Sequence, residues 1–258
     1  TPNVVCTVFA ANALLDAADT GCGDSLGVGF DAARFVLREL RVRRRTGTYF
    51  AYLPGDETLI HNGNVLAAQL VVRAGRLADR PSMIEAGVEA LETTTRAVRD
   101  DGSVPYGEGP DLGWVDGHHT GFVVEALADI AGQVGHRALA PVVDATASFY
   151  RLHLFGAGGW PRPRPGASYP IDVIAAAQGI QTFARLGGEY LPLATAVAEF
   201  ALRRLRSASG GFYYQRQRLH VKRVPYARWA DAPMSLALAF LAAGLEARRR
   251  HPAMGARA

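Results

Sequence analysis

Five apolar helical segments recur along the chain and limit its fold more than any other feature. They are NVVCTVFAANALLDAADTG from Asn3, NVLAAQLVVRAGRLADR from Asn64, TGFVVEALADIAGQVG from Thr120, DVIAAAQGIQTFARLGGE from Asp172 and DAPMSLALAFLAAGLEARR from Asp231. A sustained period of roughly 50–60 residues is the mark of a repeat architecture. Each segment opens on Asn, Thr or Asp, residues whose side-chain oxygen accepts a free N–H at a helix start. Each is apolar on most faces, which predicts burial nearly all round.

Between these segments lie amphipathic helices beginning at Asp24, Ser82, Arg137 and Leu191, with charge gathered on one side. The arginine run Arg41, Arg43, Arg44 and Arg45 is expected to close the first of them, where cations complement the helix dipole. After each amphipathic helix comes a glycine followed by aromatics: GTYFAYLPGD, DGSVPYGEGP, GGWPRPRPG and GGFYYQRQR. Gly and Pro punctuate these as short extended turns. Only TYFAY and GFYYQ resemble strands.

The unit is therefore a buried helix, an amphipathic helix and an aromatic turn. Repeated, it predicts an all-α fold of about five helical hairpins. The nearly all-apolar inner helices favour a closed α/α ring over an open solenoid. No linker divides the chain, so residues 1–258 are expected to form one domain. In such a ring the inner-helix N-termini and the aromatic turns share one rim, a pocket suited to a sugar or an acidic ligand.

The formal charge of +4, carried almost wholly by arginine, suits a carboxylate or sulfate partner. Nucleic acid is not expected, because no zinc knuckle, RRM signature or base-reading basic helix is present. No run of about 18 uncharged apolar residues suggests an integral membrane segment. Cys6 and Cys22 are the only cysteines. Two make no disulfide framework, and a reducing, cytoplasmic setting is the default. No zinc ligand set, P-loop, GxGxxG or GxSxG stands out, so no cofactor and no metal are expected.

Four stretches carry the polar chemistry. The densest, YGEGPDLGWVDGHHT, holds Tyr106, Glu108, Asp111, Trp114, Asp116, His118 and His119. A carboxylate beside an imidazole sets its tautomer and raises its basicity, so Asp116 and His119 are candidate catalytic groups. The plainer account makes Thr120 the helix cap and Asp116 a loop brace. ETLIHNGN supplies Glu57, His61 and Asn64; His61 is a second candidate base, and Asn64 is either a substrate ligand or an N-cap. ASYPID supplies Tyr169, a candidate acid or base, and Asp172, a substrate ligand or a cap. In the following helix Gln178 and Gln181 need partners, either a ligand or neighbouring backbone. FYYQRQRLHVKRVPYARWAD interleaves cations and aromatics. As one β-ribbon it would set Tyr214, Arg216, Arg218, His220 and Lys222 on one face. Tyr214, Arg228 and Trp229 are its candidate substrate contacts, with Tyr106, Glu108, Trp114 and His118 from the earlier loop.

The segments TPNVVCTVFAANALLDA, IHNGNVLAAQLV, DGSVPYGEGPDLGWVDGHHTGFVVEAL, YPIDVIAAAQGIQTFARL and GGFYYQRQRLHVKRVPYARWADAPMSLALAFL resemble a bacterial family found with surface-polysaccharide biosynthesis genes and sometimes labelled after a Vibrio polysaccharide protein. The resemblance implies an α/α toroid, akin to glucuronyl C5-epimerases, six-hairpin glycosidases, polysaccharide lyases and, more distantly, terpenoid cyclases. It also implies further helices before the TPNVV motif, hence a toroid N-terminally incomplete over these residues. Three readings stay open. The first is a carbohydrate-active enzyme acting on an acidic poly- or oligosaccharide, by proton abstraction at a uronate or by hydrolysis. The second is a non-catalytic toroid that binds a glycan or a partner protein. The third is a terpenoid-cyclase-like enzyme, although the DxDD acid motif is missing.

Overall fold

The computed structural model describes residues 2–21, 23–135, 137–224 and 226–250; Cys22 lies outside them. Among the described residues the chain forms nine α-helices and seven short strands. The helices are α1 Val4–Ala17, α2 Ser25–Phe35, α3 His61–Leu77, α4 Pro81–Thr95, α5 Gly117–Val134, α6 Ala140–Leu154, α7 Val173–Leu186, α8 Leu191–Arg204 and α9 Ala232–Arg250. The strands are β1 Arg41–Arg44, β2 Gly47–Phe50, β3 Phe155–Gly156, β4 Trp160–Pro161, β5 Ile171–Asp172, β6 Gln215–Arg216 and β7 Val221–Lys222. The fold is all-α, as the repeat predicts, and each of the five apolar segments forms a helix: α1, α3, α5, α7 and α9. Burial nearly all round holds for α3, α5 and α7, whereas α1 buries only the face of Val4, Val8, Ala11 and Leu15 and α9 only Met234, Ala237 and Leu241.

The chain packs as two compact units. One comprises Thr1–Trp114 and Ala126–Thr146, the other Val115–Glu125 and the chain from Ala147 onward. In the first, α1 pairs with α2 and α3 with α4. From His61 to Gly75, α3 is buried at every position except Gln69 and Arg73. Its close fit to α4 depends on Gly87, where a Cβ would lie 2.6 Å from Val72 and 2.9 Å from the Ala68 carbonyl oxygen. In the second unit α7 packs against α8 and α9. Tyr150, Phe155 and Phe183 form an aromatic knot there, with ring centroids 4.9–5.2 Å apart.

The helix starts differ from expectation in an instructive way. Asn3 caps α1 by accepting from Cys6 N, and Asp172 caps α7 by accepting from Ile174 N. Asn64 does not cap, because α3 already starts at His61. Thr120 is buried within α5; Asp116 is the cap, its carboxylate accepting the His119 N–H at 2.8 Å. Asp231 turns instead to Phe212 N, at 2.8 Å. Several leading N–H groups donate to tyrosine carbonyls of the aromatic turns: Val4 to Tyr52, His61 to Tyr106 and Val173 to Tyr214. These helix starts are thus closed by backbone oxygen, which removes part of the anion-binding character expected of them.

The arginine run also differs. Arg41–Arg44 leaves the helix through a π-turn over Val36–Leu40 and forms β1, paired antiparallel with β2 from Arg41↔Phe50 to Arg44↔Gly47. Among the described residues one stretch, Ala227–Arg250, is long and apolar enough to cross a membrane by length and composition. In the structure its Met234, Ala237 and Leu241 pack into the core of the second unit.

Candidate active site

In the second unit, the first turn of α5 sets Asp116 and His119 three residues apart, on one helical face. The Asp116 carboxylate accepts the His119 backbone N–H and also the Nδ1–H of its ring, at 2.9–3.0 Å. One group therefore caps the helix and fixes the imidazole. With Nδ1 protonated, Nε2 carries the lone pair, the form a general base needs. Burial alone would raise the Asp116 carboxyl; the hydrogen bonds and charge of His119 outweigh it and hold it below the usual range.

His118, beside it, lies edge-on to Phe122 at 4.7 Å and to His119 at 5.0 Å. Burial, reinforced by the neighbouring His119, pushes its ring down to about 4. His118 is neutral at physiological pH, and its buried Nδ1 has no hydrogen-bond partner. Buried polar atoms are rarely left so, and this one can serve a ligand hydroxyl.

Asp172 enters from β5, where it stands opposite Gln215, which stands opposite Lys222. Cross-strand partners share a sheet face, so Asp172, Gln215 and Lys222 lie on the same side. Burial raises the Asp172 carboxyl; the negative charge of Asp116 adds to this, against the Ile174 N–H, Gln215 and Lys222. Two carboxyl groups within electrostatic reach are thus shifted in opposite directions, Asp116 downward and Asp172 upward.

Tyr214 borders this cluster. Burial, then the Asp172 charge, raises its hydroxyl. Its ring meets Tyr226 edge-on at 5.0 Å and Trp229 at 6.4 Å. Trp229 is 48% exposed and Tyr226 44%, so the three form an open aromatic shelf rather than a dry cyclase-like cavity. Arg228 is exposed on the turn that carries Trp229. The single-face ribbon does not form. Gln217 N donates to His220 O in a tight turn, and the register Arg216↔Val221 puts Arg216 and Lys222 on opposite faces. Tyr169 packs edge-on against Trp160, at 5.5 Å, and hydrogen-bonds to neither Asp116 nor Asp172. Its expected catalytic role therefore has no geometric support.

Gln178 and Gln181 answer to a residue that sequence reasoning missed. Glu125, 8% exposed, accepts from Gln178 Nε2 at 2.6 Å, Thr182 Oγ1 at 2.7 Å and Gln181 Nε2 at 2.8 Å, with Arg185 Nε at 3.6 Å. The amides donate to a buried carboxylate that ties α5 to α7.

In the first unit, His61 is fully buried. Its Nδ1 meets Thr94 Oγ1 at 3.1 Å and its Nε2 meets Glu108 at 3.2 Å. Burial lowers its pKa, opposed by the Glu108 charge. With no exposed surface, His61 cannot touch a substrate directly; its Nε2 contacts Glu108, whose side chain is 60% exposed. Asn64 is equally buried. Its Oδ1 accepts from Phe50 N, and its Nδ2 donates to Ala90 O and Thr94 Oγ1. Its hydrogen bonds are spent within the fold, which removes it as a substrate ligand. Tyr106 and Trp114 stack on each other at 4.2 Å with ring planes 11° apart.

No protein-family model matches the chain, and no curated protein sequence matches it. Among solved structures it is similar to cellobiose 2-epimerase from Bacillus thermoamylovorans: TM-score 0.74 and 10% identity, over 93% of this chain and 75% of that one. It is similar to unsaturated glucuronyl hydrolase from Bacillus sp. GL1: TM-score 0.69 and 16% identity, over 94% and 73%. A possible GH105 member from Salmonella enterica gives TM-score 0.68 and 13% identity, over 97% and 73%. The fold is therefore the α/α toroid of six-hairpin glycosidase-like proteins. The surface-polysaccharide family of the sequence resemblance is not among these findings.

Proposed function

We propose that the protein is a carbohydrate-active enzyme that hydrolyses a glycosidic linkage in an acidic oligosaccharide. The Asp116–His119 pair, in which the carboxylate fixes the imidazole at 2.9–3.0 Å and leaves Nε2 as the base, carries the reading, and the opposite pKa shifts of Asp116 and Asp172 support it. In the proposed step, protonated Asp172 donates to the leaving glycosidic oxygen as its bond to the anomeric carbon breaks. His119 Nε2 removes a proton from the water that attacks that carbon, and Asp116 stabilises the imidazolium that results. The orphaned His118 nitrogen receives a sugar hydroxyl, and Tyr214, Tyr226 and Trp229 stack against the ring faces. Lys222, on the face of Asp172, favours a uronate carboxylate in the substrate. That fits both a glucuronyl hydrolase of the same fold and the surface-polysaccharide context of the sequence resemblance.

One observation favours a second reading. A histidine base opposite a carboxylic acid also suits epimerisation, in which one group removes a C–H proton and the other returns one. Turnover of uronate oligosaccharides in H₂¹⁸O and in D₂O separates the two. Hydrolysis places ¹⁸O at the new reducing end, whereas epimerisation places deuterium on carbon. Turnover with neither label points to lyase-type elimination and overturns both, whereas no turnover across neutral and acidic oligosaccharides overturns the enzymatic reading and leaves the binding toroid.

A further inference from the structure

The first unit contains a cavity of about 920 Å³ that plays no part in the proposed chemistry. The β1–β2 turn supplies Arg44 and Arg45, the end of α4 supplies Arg96, and the loops before α3 and α5 supply Glu57 and Glu108. The charges are not equivalent. Arg44 is neutralised by its ion pair with Glu57. Arg45 and Arg96 have no carboxylate partner among the described residues. Arg96 is also held in place: its Nη2 donates to Thr46 O at 3.2 Å and Thr93 Oγ1 at 3.1 Å. Gly47, at φ 146°, makes room for it; a Cβ there would lie 2.4 Å from Nη2. The guanidinium is thus preorganised, which lowers the entropic cost of binding an anion. Glu108 is equally fixed, held by His61 Nε2 with the Thr94 and Asn64 chain behind it.

We propose that this cavity is a second glycan-binding site, selective for an anionic sugar. Arg45 and Arg96 take a uronate carboxylate or a sulfate ester, and Glu108 accepts sugar hydroxyls. His61 is a positioning residue for Glu108. One fixed cation, one exposed cation and one held acceptor match a sugar that carries both a negative charge and hydroxyl donors. A neutral oligosaccharide would leave the arginines unused, and a bare anion would meet repulsion from Glu108. This site stands apart from the hydrolytic reading, and its test needs no turnover.

The experiment is arginine footprinting with phenylglyoxal, read by mass spectrometry on the whole chain. Three probes are compared: tetragalacturonate, a sulfated carrageenan tetrasaccharide and neutral cellotetraose. The site predicts at least fivefold slower modification of Arg45 and Arg96 with one or both acidic probes and none with cellotetraose. Which acidic probe protects tells carboxylate from sulfate. Arg45 is exposed and makes no fold contact that its replacement would break, so Arg45→Glu should fold normally and lose at least tenfold in affinity for the protecting probe. Equal modification with and without acidic probes, protection by cellotetraose, or undiminished affinity in Arg45→Glu each overturns the proposal. Running the measurement in Asp172→Asn as well keeps it independent of catalysis. Protection there without turnover in the wild type would retain this site and reject the hydrolytic one.

Discussion

Acidification should destabilise the protein through His118, by an amount the structure sets. The ring titrates near 6.5 when unfolded and at about 4 when folded. Between these values the unfolded chain binds the proton and the folded chain does not. Stability is therefore fully present above 6.5 and is lost as pH falls toward 4. The full difference of about 2.5 units corresponds to ~3.4 kcal/mol, and the portion lost between pH 7 and pH 5 is about 2 kcal/mol. His61, also lowered, acts in the same direction, and the raised Asp172 in the opposite one. Those contributions are common to wild type and His118→Phe, so the difference between the two isolates His118. Phenylalanine keeps the edge contact with Phe122 and removes both the titration and the unpaired nitrogen. Urea unfolding at pH 7 and pH 5 is the assay. With a slope of about 3 kcal/mol per molar, the wild-type midpoint should fall between these pH values by roughly 0.7 M more than that of His118→Phe. Equal shifts would refute the buried neutral imidazole.

Three further outcomes follow from the same structure. Glu125→Ala should cost about 3–5 kcal/mol in urea unfolding, because three buried donors and the Arg185 charge lose their acceptor; Glu125→Gln should cost clearly less. Gly87→Ala should destabilise by ~1–3 kcal/mol in thermal unfolding despite the better helix propensity of alanine, since the new methyl meets Val72 and the Ala68 carbonyl. Trp229→Ala should raise KM for an oligosaccharide substrate about tenfold with kcat little changed, a loss of ~1.4 kcal/mol of stacking read from steady-state kinetics.

The period of the apolar helices was legible in the sequence as recurring apolar runs, and in α3, α5 and α7 burial on most faces explains them; α1 and α9 carry similar runs with only one face buried. The caps at Asn3 and Asp172 were legible for the same local reason. Asn64 and Thr120 misled because each sits near an apolar run and has capping chemistry, whereas the helices start three residues earlier. At α5 the signal was Asp116 three residues before His119, the spacing at which a cap reaches its N–H. The β1 strand was hidden because Arg41–Arg44 continues the amphipathic pattern of α2, and only pairing with β2 draws it away. Glu125 was invisible as a partner for Gln178 and Gln181, which lie more than fifty residues along the chain. The pairing of Asp172 with Gln215 and Lys222 likewise exists only in the sheet register. Local chemistry thus pointed to Asp116 and His119, while the surroundings of Asp172 emerged only from tertiary structure.

The proposal rests on Asp172 as the proton donor that complements the Asp116–His119 pair, and the pH dependence of kcat/KM tests it directly. A general acid must be protonated, so wild-type activity should persist above the ordinary carboxylate range and fall only as pH rises through the elevated Asp172 value. Asp172→Asn should lower kcat/KM by about 10²–10⁴ and abolish that alkaline limb, with the fold intact by circular dichroism. An Asp172→Asn enzyme with wild-type activity and an unchanged alkaline limb would contradict it.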